Sequence, residues 1–305
     1  MSWLQLRIKT SKADVEALED ALLESGALSV TLEDSADEPI LEPGVGQTPL
    51  WDSLRVTGLY PSNTDTPQVI ALLAAHFTLT ADQWHWDILE NQAWETLWME
   101  HYHPIQCGEH LWICPSWCEP PDANAVNLSL DPGLAFGSGT HATTFLCLQW
   151  LDSQDLRGKT VIDFGCGSGI LGIAALLLGA KHVIAVDNDP QALTSTRTNA
   201  TRNNLSEAQI TTYLPDQVPP GSADLVIANI LAAPLIELAD QLTGLTVAGG
   251  KLCMSGMIIA QIQTVMPCYT EHFTFAEALT QEDWVCLTAE KAVEKAVEKT
   301  TDDAA

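Results

Sequence analysis

Apolar and polar positions alternate with period two at Leu4, Leu6 and Ile8, then change to helical spacing at Val15, Leu18 and Leu22, where Gly26 stops the run. Ser11, with Asp14 three residues on, suits a capping box for that helix. Alternation returns at 28–32 and again at Leu54, Val56 and Tyr60. Thr66-Pro67 opens a second helix with Val69, Leu73 and Phe77 inward, and Trp84, Trp86 and Ile88 mark a fourth strand. Residues 34–52, rich in Pro, Gly and acid, read as a long loop. The order βαββαβ over residues 1–91 predicts a ferredoxin-like α+β domain, a four-stranded antiparallel sheet with both helices on one face.

Trp94, Leu97, Trp98 and His101 recur at helical spacing, which predicts a linker helix at 92–103. Residues 105–117 read as a hairpin-like lead-in and 125–130 as a further strand. From there to residue 291 helices and β-branched runs alternate. Strands are predicted at 160–164, 182–186, 210–214, 223–228 and 251–255, helices at 145–151, 170–178, 190–204, 234–245 and 259–265, and a closing antiparallel pair at 273–278 and 283–288. Residues 104–291 therefore form a doubly wound seven-stranded α/β sheet. The tail, 292–305, has few apolar residues and is expected to be solvated.

The first strand of that sheet runs into Gly165-Cys166-Gly167-Ser168-Gly169, where side chains are absent at the points a turn must be tight and a ligand must come close. The next strand delivers Asp187 to its carboxyl end, about 20 residues after the first glycine, as in a nucleoside-binding βαβ unit. A dinucleotide loop is G-x-G-x-x-G, but here Ile170 stands where the third glycine would fall. The pattern D-x-G-x-G-x-G, begun by Asp163, resembles the S-adenosylmethionine loop of class I methyltransferases. In that resemblance Asp187 accepts hydrogen bonds from both ribose hydroxyls.

Two further stretches lie at ligand-binding positions. Residues 134–144 hold two glycines and a run of hydroxyl residues ahead of the 145–151 helix, which the hydroxyls can cap while the loop covers the cofactor. The fourth strand of the sheet delivers Asn229-Ile230-Leu231-Ala232 to its carboxyl end, where open α/β sheets bind ligands. Asn229 could instead cap the helix that follows.

Composition narrows the partners. The 305 residues include 13 basic and 40 acidic side chains, a formal net charge of −27, and no Lys or Arg stands between Arg55 and Arg157. Such a field repels phosphate backbones, so no direct nucleic-acid binding is expected, and it attracts a basic partner. No apolar run approaches the ~20 residues of a membrane span, and the N-terminus shows no signal-peptide pattern. The expectation is a cytoplasmic monomer with no membrane contact. The eight cysteines are scattered; Cys114 and Cys118 stand closest but lack a second ligand pair, so no metal is expected.

Four features in order, GLAFGSGTHATT at 133–144, VIDFGCGSG at 161–169, Asp187 and NILAAPL at 229–235, together with the N-terminal βαββαβ pattern, resemble the PrmA family of ribosomal protein L11 methyltransferases. The resemblance runs to about residue 291. One departure is Ala142, where the family usually has proline. It implies a class I methyltransferase that uses S-adenosylmethionine, with Thr144, Gly165, Gly167, Asp187 and Asn229 lining the cofactor site. It further implies methylation of lysine ε-amines and the N-terminal α-amine of ribosomal protein L11, with the N-terminal domain binding the substrate. Asn229 would orient the amine, and the small Ala232 and Ala233 would let it rotate between rounds. A class I methyltransferase acting on another protein or a small-molecule amine is the alternative.

Overall fold

The computed structural model describes residues 2–36, 49–90, 102–131 and 139–293. The chain divides into two units, Met1–His101 and Tyr102–Ala305. Residues 92–101 of the expected linker helix, most of the 34–52 loop and the tail beyond residue 293 lie outside the described residues.

In the first unit the alternating positions become β1 (Trp3–Ser11), β2 (Ser29–Asp34), β3 (Ser53–Pro61) and β4 (Trp84–Leu89), with α1 (Val15–Glu24) and α2 (Thr66–Ala74) between them. The sheet order is β2-β3-β1-β4 and every pair is antiparallel, the split βαβ arrangement. Leu6 and Ile8 of β1, Leu54 and Val56 of β3 and the Val15, Leu18, Leu22 stripe of α1 share one buried core. The expected capping box does not form. Ser11 is still paired with Ser53 in the β1–β3 ladder, so it cannot leave the strand to cap α1. Its hydroxyl donates instead to Asp14 Oδ2 at 3.0 Å, and Asp14 takes the cap position.

The second unit opens with β5 (Ile105–Gln106), β6 (Leu111–Cys114) and β7 (Val126–Ser129), a small sheet in which β6 pairs antiparallel with β5 and parallel with β7. Then follow α3 (Ala142–Asp152), β8 (Thr160–Phe164), α4 (Ile170–Leu177), β9 (His182–Val186), α5 (Pro190–Arg202), β10 (Ile210–Tyr213), β11 (Ala223–Asn229), α6 (Ala232–Glu237), α7 (Ala239–Leu245), β12 (Thr246–Ile258), α8 (Ile262–Val265), β13 (Phe273–Phe275), β14 (Leu279–Gln281) and β15 (Trp284–Lys291). The large sheet runs β10-β9-β8-β11-β12-β15-β13. The pairs from β10 to β12 are parallel, and β15 runs antiparallel to both of its neighbours, β12 and β13.

Two differences from the expected pattern have visible causes. β13 and β14 both pair with β15, at its far and near ends, so the seventh strand position is filled by two short strands and the sheet has eight. β14 turns back into β15 through Glu282, at φ +54°. The 234–245 helix breaks at Leu238. A continuous helix would give the Leu235 carbonyl to the Ala239 N–H, but that carbonyl accepts the buried Tyr269 hydroxyl at 2.6 Å.

Successive residues of the parallel strands bury on opposite faces. Val161 joins Leu171, Ile173, Val183 and Leu193 on one side, and Ile162 joins Val226, Leu235 and Met254 on the other. Covering helices explain why these runs are continuously apolar. The chain proceeds from β8 outward to β9 and β10, then returns to β11 on the other flank of β8. That reversal opens a crevice at the carboxyl ends of β8 and β11.

Candidate cofactor and amine site

The glycine loop starts where β8 ends and is wound against the end of β9. Val186 O accepts from both Gly165 N–H (2.7 Å) and Cys166 N–H (3.0 Å), and Asp187 Oδ2 accepts from Gly167 N–H at 2.9 Å. Two glycines are required by contact as well as by backbone angle. Gly165 has φ +78°, and a Cβ there would strike Ile230 Cγ2; Gly169 has φ +79°, and a Cβ there would lie 2.8 Å from Thr196 Cγ2. A side chain in this left-handed region costs roughly 1–2 kcal/mol before any collision.

Asp187 is fixed by its neighbours. Oδ2 holds Gly167 and Oδ1 accepts from Asp189 N–H at 2.9 Å, leaving each oxygen a second lone pair for an incoming hydroxyl. Asp163, one strand over, is 1% exposed. Its Oδ2 accepts from Gly172 N–H in the first turn of α4 at 2.8 Å, and Oδ1 has no partner. Burial pushes its carboxyl up to about 7, against the pull of the Gly172 N–H and with help from the nearby Asp187 charge.

At the end of β11, Asn229 Nδ2 donates to Thr144 Oγ1 at 3.2 Å across 85 residues of sequence. Asn229 Oδ1 is buried without a donor. Asn229 does not cap the following helix, since Leu231 occupies that position. The hydroxyl-rich run is also used differently from expectation. Helix α3 begins at Ala142, three residues early, and its cap is His141, whose Nδ1 accepts from Thr143 N–H at 3.3 Å and meets Thr143 Oγ1 at 2.8 Å. The His141 ring packs edge-on against Trp284 with centroids 4.6 Å apart. Ala142 is thus the first helical residue, a position where proline and alanine fit equally.

All five residues expected to line the cofactor site belong to one chain of contacts. Thr144 bonds Asn229, Ile230 beside it packs on Gly165, and Gly167 of the same loop bonds Asp187. The structure adds partners the sequence did not signal. Gly256, at φ +89° where the β12–β15 register shifts, abuts the Ile230 backbone. Thr196 and Asn199 on α5 bond the glycine loop, and helical periodicity alone could not aim them there.

The two cysteines closest in sequence are separate thiols. Cys114 and Cys118 do not share a site, for Cys114 Sγ donates to Asn127 Oδ1 and Cys118 Sγ to the Tyr102 carbonyl. Among the described residues the sulfur cluster is Cys147, Cys253 and Cys286, whose Sγ atoms lie within 4.8 Å of one another in the apolar core. Burial pushes the Cys253 thiol well above its ordinary value. Cys253 Sγ donates to Cys147 Sγ at 3.8 Å and lies 3.4 Å from Cys286 Sγ. Their positions in sequence are too far apart for any spacing rule to join them.

An open parallel sheet, a D-x-G-x-G-x-G loop at its switch point and a fixed carboxylate at the end of the second strand together define a class I methyltransferase. Residues 2–292 match the profile of the family described as Ribosomal protein L11 methyltransferase (PrmA). The ribosomal protein L11 methyltransferase of Cellvibrio japonicus is 55% identical over 292 residues, covering 96% of this chain and 99% of that protein. That of Salmonella arizonae is 52% identical over 293 residues, covering 95% of this chain and all of the relative. Among solved structures, ribosomal protein L11 methylase from Lactobacillus delbrueckii subsp. bulgaricus aligns with a TM-score of 0.58 at 34% identity, over 63% of this chain and 100% of that one. The chain belongs to the ribosomal protein L11 methyltransferase family, and as a class I member its methyl donor is S-adenosylmethionine. Among the described residues no helix is long and apolar enough to cross a membrane.

Proposed function

We propose that this chain transfers methyl groups from S-adenosylmethionine to lysine ε-amines and the N-terminal α-amine of ribosomal protein L11, in more than one round, as a monomer in the cytoplasm. The observation that carries the reading is Asn229, which offers a buried acceptor with no donor of its own at the carboxyl end of β11. The residues fit the cofactor. Gly165 lets the loop turn at positive φ close against Ile230, Asp187 keeps lone pairs for the ribose, and Thr144 holds the Asn229 amide so that Oδ1 faces away from it.

When bound, the cofactor would supply an electrophilic sulfonium methyl for the lone pair of a neutral amine, with the neutral thioether as leaving group. The chain's own task is to present that amine. A lysine with a pKa of about 10.4, or an α-amine near 8, must shed a proton first. Leaving water for a partly apolar site favours the neutral form. Asn229 Oδ1 can accept one amine N–H and so aim the lone pair, a positioning contribution, since an amide takes no proton. Room for the amine to turn between rounds does not come from Ala232, which packs in the core below β11, while Ala233 is exposed.

In this reading the N-terminal unit recognises the substrate, and the stretch without Lys or Arg from 56 to 156 steers a basic protein toward it. The test is incubation of the purified chain with labelled S-adenosylmethionine and ribosomal protein L11, followed by intact-mass and peptide mass spectrometry. Stepwise methyl increments on lysines and on the α-amine are expected, with Asn229→Ala lowering kcat by about tenfold or more through loss of amine positioning. Cofactor binding without any methyl on L11 would retire the substrate assignment.

A further inference from the structure

Helix α5 carries four threonines, and three of them behave alike. Thr194, Thr198 and Thr201 are exposed and donate to carbonyls four residues back, those of Pro190, Thr194 and Arg197, at 3.0 Å each. This is the ordinary use of a hydroxyl inside a helix. Thr196 departs from it. It is fully buried, donates to Gly167 O at 3.1 Å and touches Cys166 Sγ at 3.3 Å. One turn on, Asn199 Nδ2 donates to Ser168 O at 2.8 Å. Two consecutive carbonyls of the glycine loop are thereby held on α5.

A trans peptide points its N–H opposite its C=O, so fixing these two carbonyls fixes the tilt of both peptide planes between Gly167 and Gly169. Glycine has no side chain to restrain those planes itself, and Gly167 and Gly169 both sit at positive φ. The close approach of Gly169 to Thr196 makes α5 the wall against which the loop is set. We propose that Thr196 and Asn199 are positioning residues for the cofactor: they preorganise the glycine loop and set its affinity for the S-adenosyl group without entering the transfer step. The inference rests on the reading of this loop as the nucleoside site.

The same helix supplies its own control. Asn203, four residues beyond Asn199, bonds both backbone groups of Ser129 in β7, donating to the carbonyl at 2.8 Å and accepting from the N–H at 2.7 Å. It belongs to the same polar seam but does not touch the loop.

The experiment measures binding of S-adenosylhomocysteine by calorimetry to the full chain and to Thr196→Val, Thr196→Ser, Asn199→Ala and Asn203→Ala, with steady-state kinetics and hydrogen exchange of the ligand-free loop alongside. Losing one loop bond should weaken binding about tenfold in Thr196→Val and in Asn199→Ala. KM for S-adenosylmethionine should rise in step, with kcat and KM for the protein substrate unchanged, and amides of 165–169 should exchange faster. Thr196→Ser, which keeps the hydroxyl, should return to within about twofold of wild type, and Asn203→Ala should lower Tm while binding normally. Thr196→Val and Asn199→Ala variants that lose Tm as Asn203→Ala does, yet bind within about twofold of wild type, would reduce the seam to a structural role. A wild-type chain that binds no S-adenosylhomocysteine would overturn the nucleoside reading itself.

Discussion

Replacing Asp163 by asparagine should stabilise the ligand-free protein, and by an amount that depends on pH. The side chain is 1% exposed and its carboxyl is pushed from 3.8 to about 7, chiefly by burial. The native state therefore keeps a proton that the unfolded chain releases near its ordinary carboxylate pKa. Between about pH 4 and pH 7 the unfolded state binds fewer protons, so stability falls as pH rises through that window and levels off above it. Each pH unit of the displacement is worth 1.36 kcal/mol, which makes the full loss about 4 kcal/mol.

Asparagine keeps an oxygen for the Gly172 N–H that Asp163 Oδ2 now serves at 2.8 Å, but carries no charge to desolvate. The difference between variant and wild type should grow by about 1.4 kcal/mol per pH unit from about pH 4 and plateau near 4 kcal/mol above pH 7. Hydrogen exchange of β8 and β9 peptides, read at each pH as an opening free energy, isolates the unit concerned. Parallel wild-type and variant lines from pH 5 to 8 would show that Asp163 is not held protonated. A variant less stable throughout would show that its negative charge serves the N-terminus of α4.

Asp187→Ala removes the acceptor for two hydroxyls and releases Gly167 N–H, so S-adenosylhomocysteine binding measured by calorimetry should fall by about 100-fold or more. Gly165→Ala should cost at least about 1–2 kcal/mol in thermal denaturation from its positive φ and should also block cofactor binding, because the new methyl meets Ile230; normal binding would mean the loop relaxes freely. Lys291 Nζ donates to the carbonyls of Thr243 (2.6 Å) and Thr246 (2.8 Å) at the end of α7. Lys291→Met should therefore lose about 2 kcal/mol and several degrees of Tm with methyl transfer unchanged at permissive temperature.

The parallel core was readable from the chain because its signals are local. A β-branched run, glycines at fixed spacing and an acid about 20 residues on all belong to one βαβ unit, and each is dictated by the backbone geometry of that unit. Helix ends were less legible, because caps depend on what else claims the side chain. Ser11 was already committed to the β1–β3 ladder and Thr144 to Asn229, so Asp14 and His141 became the caps. The break at Leu238 depends on a hydroxyl from Tyr269, 31 residues further on, which no local pattern could foresee. The Cys147, Cys253, Cys286 cluster is of the same kind, three residues joined only by the β12–β15 pairing and the helix that covers it.

Polar side chains that turn inward were the hardest to place, and they bear on how the site works. Helical spacing in α5 puts Thr196 in line with Ala192, Leu193 and Ala200, but spacing alone does not say that Thr196 and Asn199 would use that face to bond the glycine loop. Their bonds, with that of Asn203, satisfy the carbonyls of Gly167, Ser168 and Ser129, so the scaffold side of the loop has its acceptors filled. At the end of β11 the balance is opposite, for Asn229 Oδ1 is a buried acceptor with no donor. An unfilled buried acceptor costs about 1–3 kcal/mol, a stability sacrificed locally. A ligand bringing N–H donors recovers that cost on binding, whereas an apolar ligand of the same size would not. In the reading proposed above, preference for an amine rests on Asn229 Oδ1, the acceptor that the strand end leaves open.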